Sequence, residues 1–158
     1  MPPPAPARIH RLTPRDAAMM APLLDMFGQA FEEPEAYGKA RPGLGYLERL
    51  LGGTTFIALA ALKAEAVVGG LVAYELPKFE QERSEIYIYD LAVAEGHRRE
   101  GIATALIQEV QAIAAARGAW VVFVQADRGD DPAIALYAKL GTREDVLHFD
   151  IPVPRDRS

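Results

Sequence analysis

The chain has 158 residues, half of them hydrophobic, a formal net charge of −5 and no cysteine. That length suits one domain with a sizeable core and excludes a disordered chain. The acidic balance argues against a nucleic-acid partner, and the missing cysteine excludes disulfides, thiolate metal sites and a cysteine nucleophile.

An acidic surface suits a cationic ligand, and it also serves plain solubility. No apolar run reaches the roughly 18 residues that span a membrane. His10, His97 and His148 lack ligand spacing, so no metal site is expected. Residues 2–7 are proline-rich, lack the basic-then-apolar order of a signal peptide, and read as part of a flexible lead-in over residues 1–7. A cytoplasmic location and a single domain over residues 1–158 are the expectations.

Residues 8–12 alternate polar and apolar side chains, which predicts a first strand. Thr13-Pro14 is a cap followed by proline at the first helical position. Met19, Met20, Leu23, Leu24 and Phe27 then recur at helical spacing over residues 16–31. The stretch Glu32 to Gly45, rich in proline, glycine and charge, reads as a loop. A short helix carrying Leu47, Leu50 and Leu51 follows and closes at Gly52-Gly53.

Residues 54–62 and 66–76 are β-rich apolar runs, and the short break between them signals a hairpin. Residues 84–93 set Ile86 and Ile88 against Tyr87 and Tyr89, the alternation of a central strand. A helix over 102–116 ends at Arg117-Gly118, and 120–126 is a short buried strand. Asp131-Pro132 repeats the cap-plus-proline start, with Asp131 as the cap and Asp130 the freer neighbour. The helix runs over 133–140 to Gly141, and 146–153 gives a last strand. Two late strand–helix–strand crossings require parallel pairing beside the antiparallel hairpin. The fold class is therefore α/β, with a mixed central sheet flanked by helices on both faces.

The sequence Asp90-Leu-Ala-Val-Ala-Glu-Gly-His-Arg-Arg-Glu-Gly-Ile-Ala-Thr runs from strand end through a glycine turn into a helix. The first turn of a helix leaves backbone N–H groups unpaired at the positive end of its dipole, where a phosphate fits. Gly101 and Ala103 keep bulk away, and Arg98 and Arg99 add charge. A phosphorylated cofactor follows from this pattern. The lysine and hydroxyl of a triphosphate loop are missing, as are the three glycines of a dinucleotide fingerprint.

Arg98-x-x-Gly101-x-Ala103 after Leu91-Ala-Val93 resembles the acetyl-coenzyme A signature of the GNAT superfamily of N-acetyltransferases. The runs starting at Thr55, Leu76, Arg83, Gln125, Gly129 and Leu136 are similar to the gentamicin (aminoglycoside) 3-N-acetyltransferases. They read Thr-Phe-Ile-Ala-Leu-Ala, Leu-Pro-Lys-Phe-Glu-Gln, Arg-Ser-Glu-Ile-Tyr-Ile-Tyr-Asp-Leu-Ala-Val, Gln-Ala-Asp, Gly-Asp-Asp-Pro-Ala and Leu-Tyr-Ala-Lys-Leu-Gly. The resemblance covers residues 54–150, while the N-terminal third is similar only loosely.

The resemblance implies a GNAT acyl-CoA N-acyltransferase fold of about six to seven strands and about four helices. It implies acetyl-CoA bound by Leu91, Ala92 and Val93 along its pantetheine arm, and by Arg98, Arg99, Glu100, Gly101, Ile102, Ala103 and Thr104 at its pyrophosphate. It further implies a bulge in the cofactor strand, and a wedge between the fourth and fifth strands for the thioester. No metal enters this chemistry. Transfer would be direct, in a ternary complex, to the 3-amino group of an aminoglycoside's 2-deoxystreptamine ring, conferring resistance.

An amine must lose a proton before it accepts an acetyl group. Asp90, beside the cofactor-binding backbone, is the first candidate for that proton; its alternative is a structural aspartate satisfying loop amides. By family position Tyr137 protonates the departing thiolate; a core aromatic beside Leu136 and Leu140 would look the same. The N–H of Leu91 or Ala92 is a candidate to polarise the thioester carbonyl. A polycationic acceptor needs spread anions, for which Glu85, Asp127, Asp130 and Asp150 are candidates beside Asp90. Tyr87 and Tyr89 share a strand face and either line that groove or pack under a helix. The partner is thus a small polycationic aminoglycoside, with no nucleic acid, no membrane and a possible homodimer. The rival readings are another amine, such as a polyamine or a protein N-terminus, and a non-catalytic coenzyme-binding domain.

Overall fold

Residues 6–155 are described in the computed structural model, and the lead-in expected over residues 1–7 lies for its first five outside them. Two compact units divide the chain, one up to Gln125 and the other from Ala126.

The first unit opens with β1 (Arg8–Arg11). Thr13 then starts a 3-10 turn over Pro14–Met19, where the Thr13 N–H donates to Asp16 Oδ2 at 2.8 Å. This turn runs into α1 (Met20–Ala30), so the predicted helix is present with a tightened first segment. The stretch expected to be a loop holds a further helix, α2 (Pro34–Gly38), started by proline at its first position. α3 (Leu44–Gly52) buries Leu47 and Leu51.

Three strands follow: β2 (Phe56–Lys63), β3 (Ala66–Pro77) and β4 (Ser84–Val93). A 3-10 turn over Glu95–His97 leads to α4 (Ile102–Arg117) and then β5 (Ala119–Val124). The sheet order is β1-β2-β3-β4-β5. Its first three junctions are antiparallel and β4 pairs with β5 in parallel, the mixed arrangement read from the sequence.

Helices cover both faces. Gly70 faces α1, since a Cβ there would meet Leu23 and Met26, whereas a Cβ on Gly69 would meet Ile102 of α4. Phe56, Ala58, Ala60, Val72 and Ala92 accordingly pack with Leu23, Phe27 and Leu47 on the first face. Ile57, Leu59, Leu71, Ile86 and Ile88 are buried on the other, with Leu106 and Val110 of α4.

In the second unit, α5 (Asp131–Leu140) is capped by Asp130, whose side chain accepts from the Ala133 N–H. This corrects the expected assignment. Asp131 lies inside the first turn, and Asp130 is the residue in register to reach the third helical amide.

The sheet has five strands, below the expected six to seven, and the helices number five among the described residues. The shortfall lies at residues 146–153, which carry the alternation of a strand yet form none. Alternation marks a candidate strand, but a ladder partner is what makes one. Leu147, Phe149 and Ile151 there are 78%, 76% and 85% exposed.

Candidate functional site

β4 does not keep period two. Ala73 pairs with Ile88 and Val72 with Asp90, so Tyr89 is an extra residue without an opposite number. Unbroken alternation would put Asp90 with Ile86 and Ile88 on the α4 side. The bulge resets the phase instead, and Asp90 stands opposite Val72 on the α1 side. This is the bulge that the resemblance implies and the alternation cannot display.

The bulge also gathers aromatic rings around that carboxylate. Phe56, Tyr74, Tyr87 and Phe123 form one row across β2, β3, β4 and β5. The Tyr87 ring stacks on Phe123 at 4.7 Å, and Tyr89 meets both Tyr74 and Tyr87 edge-on at 5.8 Å. Tyr87 and Tyr89 therefore share a face, as the sequence suggested. Tyr89 remains 62% exposed and lies open, not under a helix.

Asp90 is half-buried, and its carboxylate accepts from the Tyr37 hydroxyl of α2 at 3.2 Å. Burial is the main influence on it and holds its pKa above the ordinary aspartate value. The Tyr37 hydrogen bond opposes that rise and the negative charge of Glu33 adds to it. A carboxylate reluctant to carry bare charge, walled by electron-rich rings, is a good receptor for an ammonium group. Sequence reasoning missed Tyr37, Glu33 and Tyr74. Pro34 at a helix start was the readable signal for α2, but nothing local says that α2 reaches β4.

Beside Asp90 the sheet opens. β5 pairs with β4 only as far as Ile88 opposite Val124, while β4 runs on to Val93 and stays paired with β3 on its other side. The edge of Leu91, Ala92 and Val93 that would face β5 is thus unpaired within the sheet, able to accept a ligand's amides in strand fashion.

The turn after β4 is shaped for an anion. Arg99 and Gly101 have positive φ of 65° and 80°, and Gly101 starts α4. In this shape the amides of Ile102, Ala103 and Thr104 begin the helix without intrahelical acceptors. The Arg98 Nε donates to the Val93 carbonyl at 3.3 Å, folding that side chain onto the end of β4. Glu100 is turned away by Lys63 and His97, and Lys63 chiefly holds its carboxyl below the usual range. A separate cavity of about 400 Å³ lies on the α1 side of Arg98, lined also by Asp25, Glu32 and Glu95, and is not part of the anion turn. The residues expected to hold a pyrophosphate fit one, by open amides, a left-handed glycine and flanking cations.

The other expected anions are placed differently. Glu85, at the far end of β4, accepts from Trp120 Nε1 at 3.1 Å and pairs with Lys78 at 3.4 Å. Asp127, Asp130, Tyr137 and Asp150 belong to the second unit. There Asp130 is engaged as the α5 cap and Asp150 pairs with His148 at 2.9 Å. Tyr137 lies on α5, its hydroxyl pKa raised by burial and then by Asp130. Among the described residues no cluster of metal-ligating side chains occurs, and no helix is long and apolar enough to cross a membrane.

Residues 21–142 match the Acetyltransferase (GNAT) family. The chain belongs to that family. GNAT acetyltransferases use acetyl-CoA, in keeping with the turn and strand edge described above. The chain is 60% identical to an aminoglycoside acetyltransferase, HMB0005, from an uncultured soil metagenomic sample. The TM-score is 0.93, covering 95% of this chain and 100% of that one. It is 32% identical to a second such enzyme, meta-AAC0020, also from an uncultured soil metagenomic sample and solved in complex with sisomicin. There the TM-score is 0.86, with 94% and 97% of the two chains covered. An N-alpha-acetyltransferase of Sulfurisphaera tokodaii is 33% identical over 96 residues, 54% of this chain, and the chain spans 58% of that relative's length.

Proposed function

We propose that this GNAT protein is an acetyl-CoA-dependent aminoglycoside acetyltransferase, acting on the 3-amino group of the 2-deoxystreptamine ring in drugs such as gentamicin. The observation that carries the reading is the half-buried Asp90, turned by the β4 bulge into a cup of Tyr74, Tyr87 and Tyr89 beside the open edge of Leu91 to Val93. The two aminoglycoside acetyltransferases similar over nearly the whole chain support it, as does the sisomicin bound to one of them. The 3-amino position and gentamicin rest on the sequence resemblance over residues 54–150. The family match spans both units, which supports treating the whole chain as one acetyltransferase domain.

When bound, acetyl-CoA supplies an acetyl group activated as a thioester. The carboxylate of Asp90 holds the acceptor ammonium and takes one proton from it, leaving a neutral amine as nucleophile, and the nitrogen sheds its second proton to solvent as the amide forms. In this reading the N–H of Leu91 or Ala92 donates to the reacting carbonyl. By family position Tyr137 is the candidate to give its hydroxyl proton to the departing thiolate, and burial holds its pKa above the ordinary tyrosine value. Acceptor and donor meet directly, since the chain has no cysteine to carry an acyl group. Acetylation removes one positive charge from the drug and so weakens its hold on RNA phosphates, the physical basis for resistance in the cytoplasm. A homodimer remains part of the reading, with the exposed row Leu147, Phe149 and Ile151 suited to a second copy.

The test is thiol release from acetyl-CoA with gentamicin and sisomicin as acceptors, followed by NMR of the product to locate the acetyl group. Acetylation at the 3-amino nitrogen is expected. Asp90→Asn is expected to lower turnover at least tenfold, the low end for a positioned proton acceptor being about 10²-fold. Acetylation at another nitrogen would overturn the regiochemistry. The similarity to an N-alpha-acetyltransferase favours a protein amino-terminus as the second reading, so peptides and polyamines belong in the same assay. Thiol release with peptides alone would select that reading, and none with any amine would leave a coenzyme-binding domain.

A further inference from the structure

Tyr37 belongs to none of the motifs of the sequence and lies in the stretch that reads as a loop, yet its position is built from several sides. Pro34 starts α2, and the Glu33 N–H donates to the Gly28 carbonyl at 2.8 Å, tying the helix start to α1. Gly28 permits the close approach, since a Cβ there would sit 3.2 Å from Pro34 Cα and 3.3 Å from Tyr37 Cβ. The Tyr37 ring leans on Phe31 at 5.8 Å and Phe27 at 6.1 Å, and those two rings stack on each other. The ring is therefore held by packing, and the hydroxyl is left to a single task. It donates to Asp90 Oδ2, which is the hydrogen bond made by that carboxylate among the described residues.

We propose that Tyr37 is the positioning residue for Asp90, its hydroxyl holding one carboxylate oxygen so that the other is presented to the acceptor amine. This rests on the reading of Asp90 as proton acceptor. A carboxylate free to rotate about its last side-chain bond offers either oxygen in many directions, and a donor on one oxygen removes that freedom. The hydrogen bond also favours the charged form against the burial that opposes it. The groups facing Asp90 are Glu33 and Tyr37 from the α2 segment, Tyr74 from β3, and Tyr87 and Tyr89 from β4. Of these only Glu33 is a second carboxylate, and its negative charge acts on Asp90 in the opposite sense to the Tyr37 hydrogen bond.

Tyr37→Phe keeps the ring and its packing and removes only the hydroxyl. With burial and Glu33 then unopposed, the acidic limb of kcat/KM for sisomicin should move up by about one pH unit. The titration midpoint of the Asp90 carboxyl carbon, followed by NMR in protein labelled at aspartate, should move with it. The KM for acetyl-CoA should stay within about twofold, since the hydroxyl touches nothing on the cofactor edge. A Tyr37→Phe limb and midpoint superimposing on those of the unaltered chain would overturn the proposal. Asp90→Asn separates this from the underlying reading: loss of turnover in that variant beside an unmoved Tyr37→Phe midpoint removes Tyr37 alone. Full turnover in Asp90→Asn removes Asp90 as proton acceptor and Tyr37 with it. Should sisomicin not be acetylated, the carboxyl midpoint still decides whether Tyr37 governs Asp90.

Discussion

At the scale of single residues, the role proposed for Asp90 sets function against stability. Its pKa is raised in the fold, chiefly by burial, so folding favours the protonated form and disfavours the charge. The favourable contribution of the neutral carboxyl is complete below the ordinary aspartate pKa and is lost as the pH rises through the raised value. At neutral pH the fold therefore carries a charged group it would sooner have neutral. Asp90→Asn keeps the shape and an acceptor for Tyr37 without the charge. We expect this variant to melt at a higher temperature than the unaltered chain at pH 7, with the difference shrinking towards pH 4. Melting curves across that range check the sign; a variant less stable at pH 7 would mean that the carboxylate is a net structural asset. The same residue was legible in the sequence only as an acid next to a cofactor strand. Its partner Tyr37 was not legible at all, because the two are 53 positions apart and joined only by packing.

At the scale of elements, local signals held where local physics decides. Thr13-Pro14 began a helical turn, Gly118 ended α4 in the left-handed conformation with φ of 75°, and the β2–β3 hairpin formed where expected. The hairpin carries an avoidable strain. Its two loop residues, Ala64 and Glu65, have φ of 48° and 66°, a primed turn that Asn-Gly fills best. Ala64→Asn combined with Glu65→Gly should stabilise the protein by about 1 kcal/mol, about 2–4 °C in Tm, with turnover unchanged. The loss of Glu65 also removes its exposed pair with Arg8, which is worth little. Calorimetry on the double variant measures the gain, and an unchanged or lower Tm would show that the turn is relaxed as it stands. Where alternation alone was the guide, it misled twice. It extends through Tyr89, where β4 bulges, and through residues 146–153, where no strand forms.

At the scale of the whole molecule, net charge and site charge point the same way. On the proposed function, a chain of −5 with Asp90 and Glu33 at the acceptor side and open amides, Arg98 and Arg99 at the phosphate side should treat its two substrates differently in salt. Raising salt from about 0.05 M to about 0.5 M shortens the screening length from more than 10 Å to less than 8 Å. The KM for a polycationic aminoglycoside should rise several-fold over that range, with turnover at saturation nearly constant. Steady-state kinetics at matched pH measure it, and a salt-independent KM would remove long-range attraction from the account.

The sequence by itself determined the mixed sheet, the glycine turn that opens α4, the arginines beside it and the acid that opens the motif. Each of these depends on neighbours within a few positions, where backbone preference and helix-end chemistry act directly. Only the tertiary structure decided which way Asp90 points, which rings surround it and which hydroxyl holds it. Those follow from one extra residue in a β ladder and from a short helix lying against a distant strand, and neither leaves a local periodic trace.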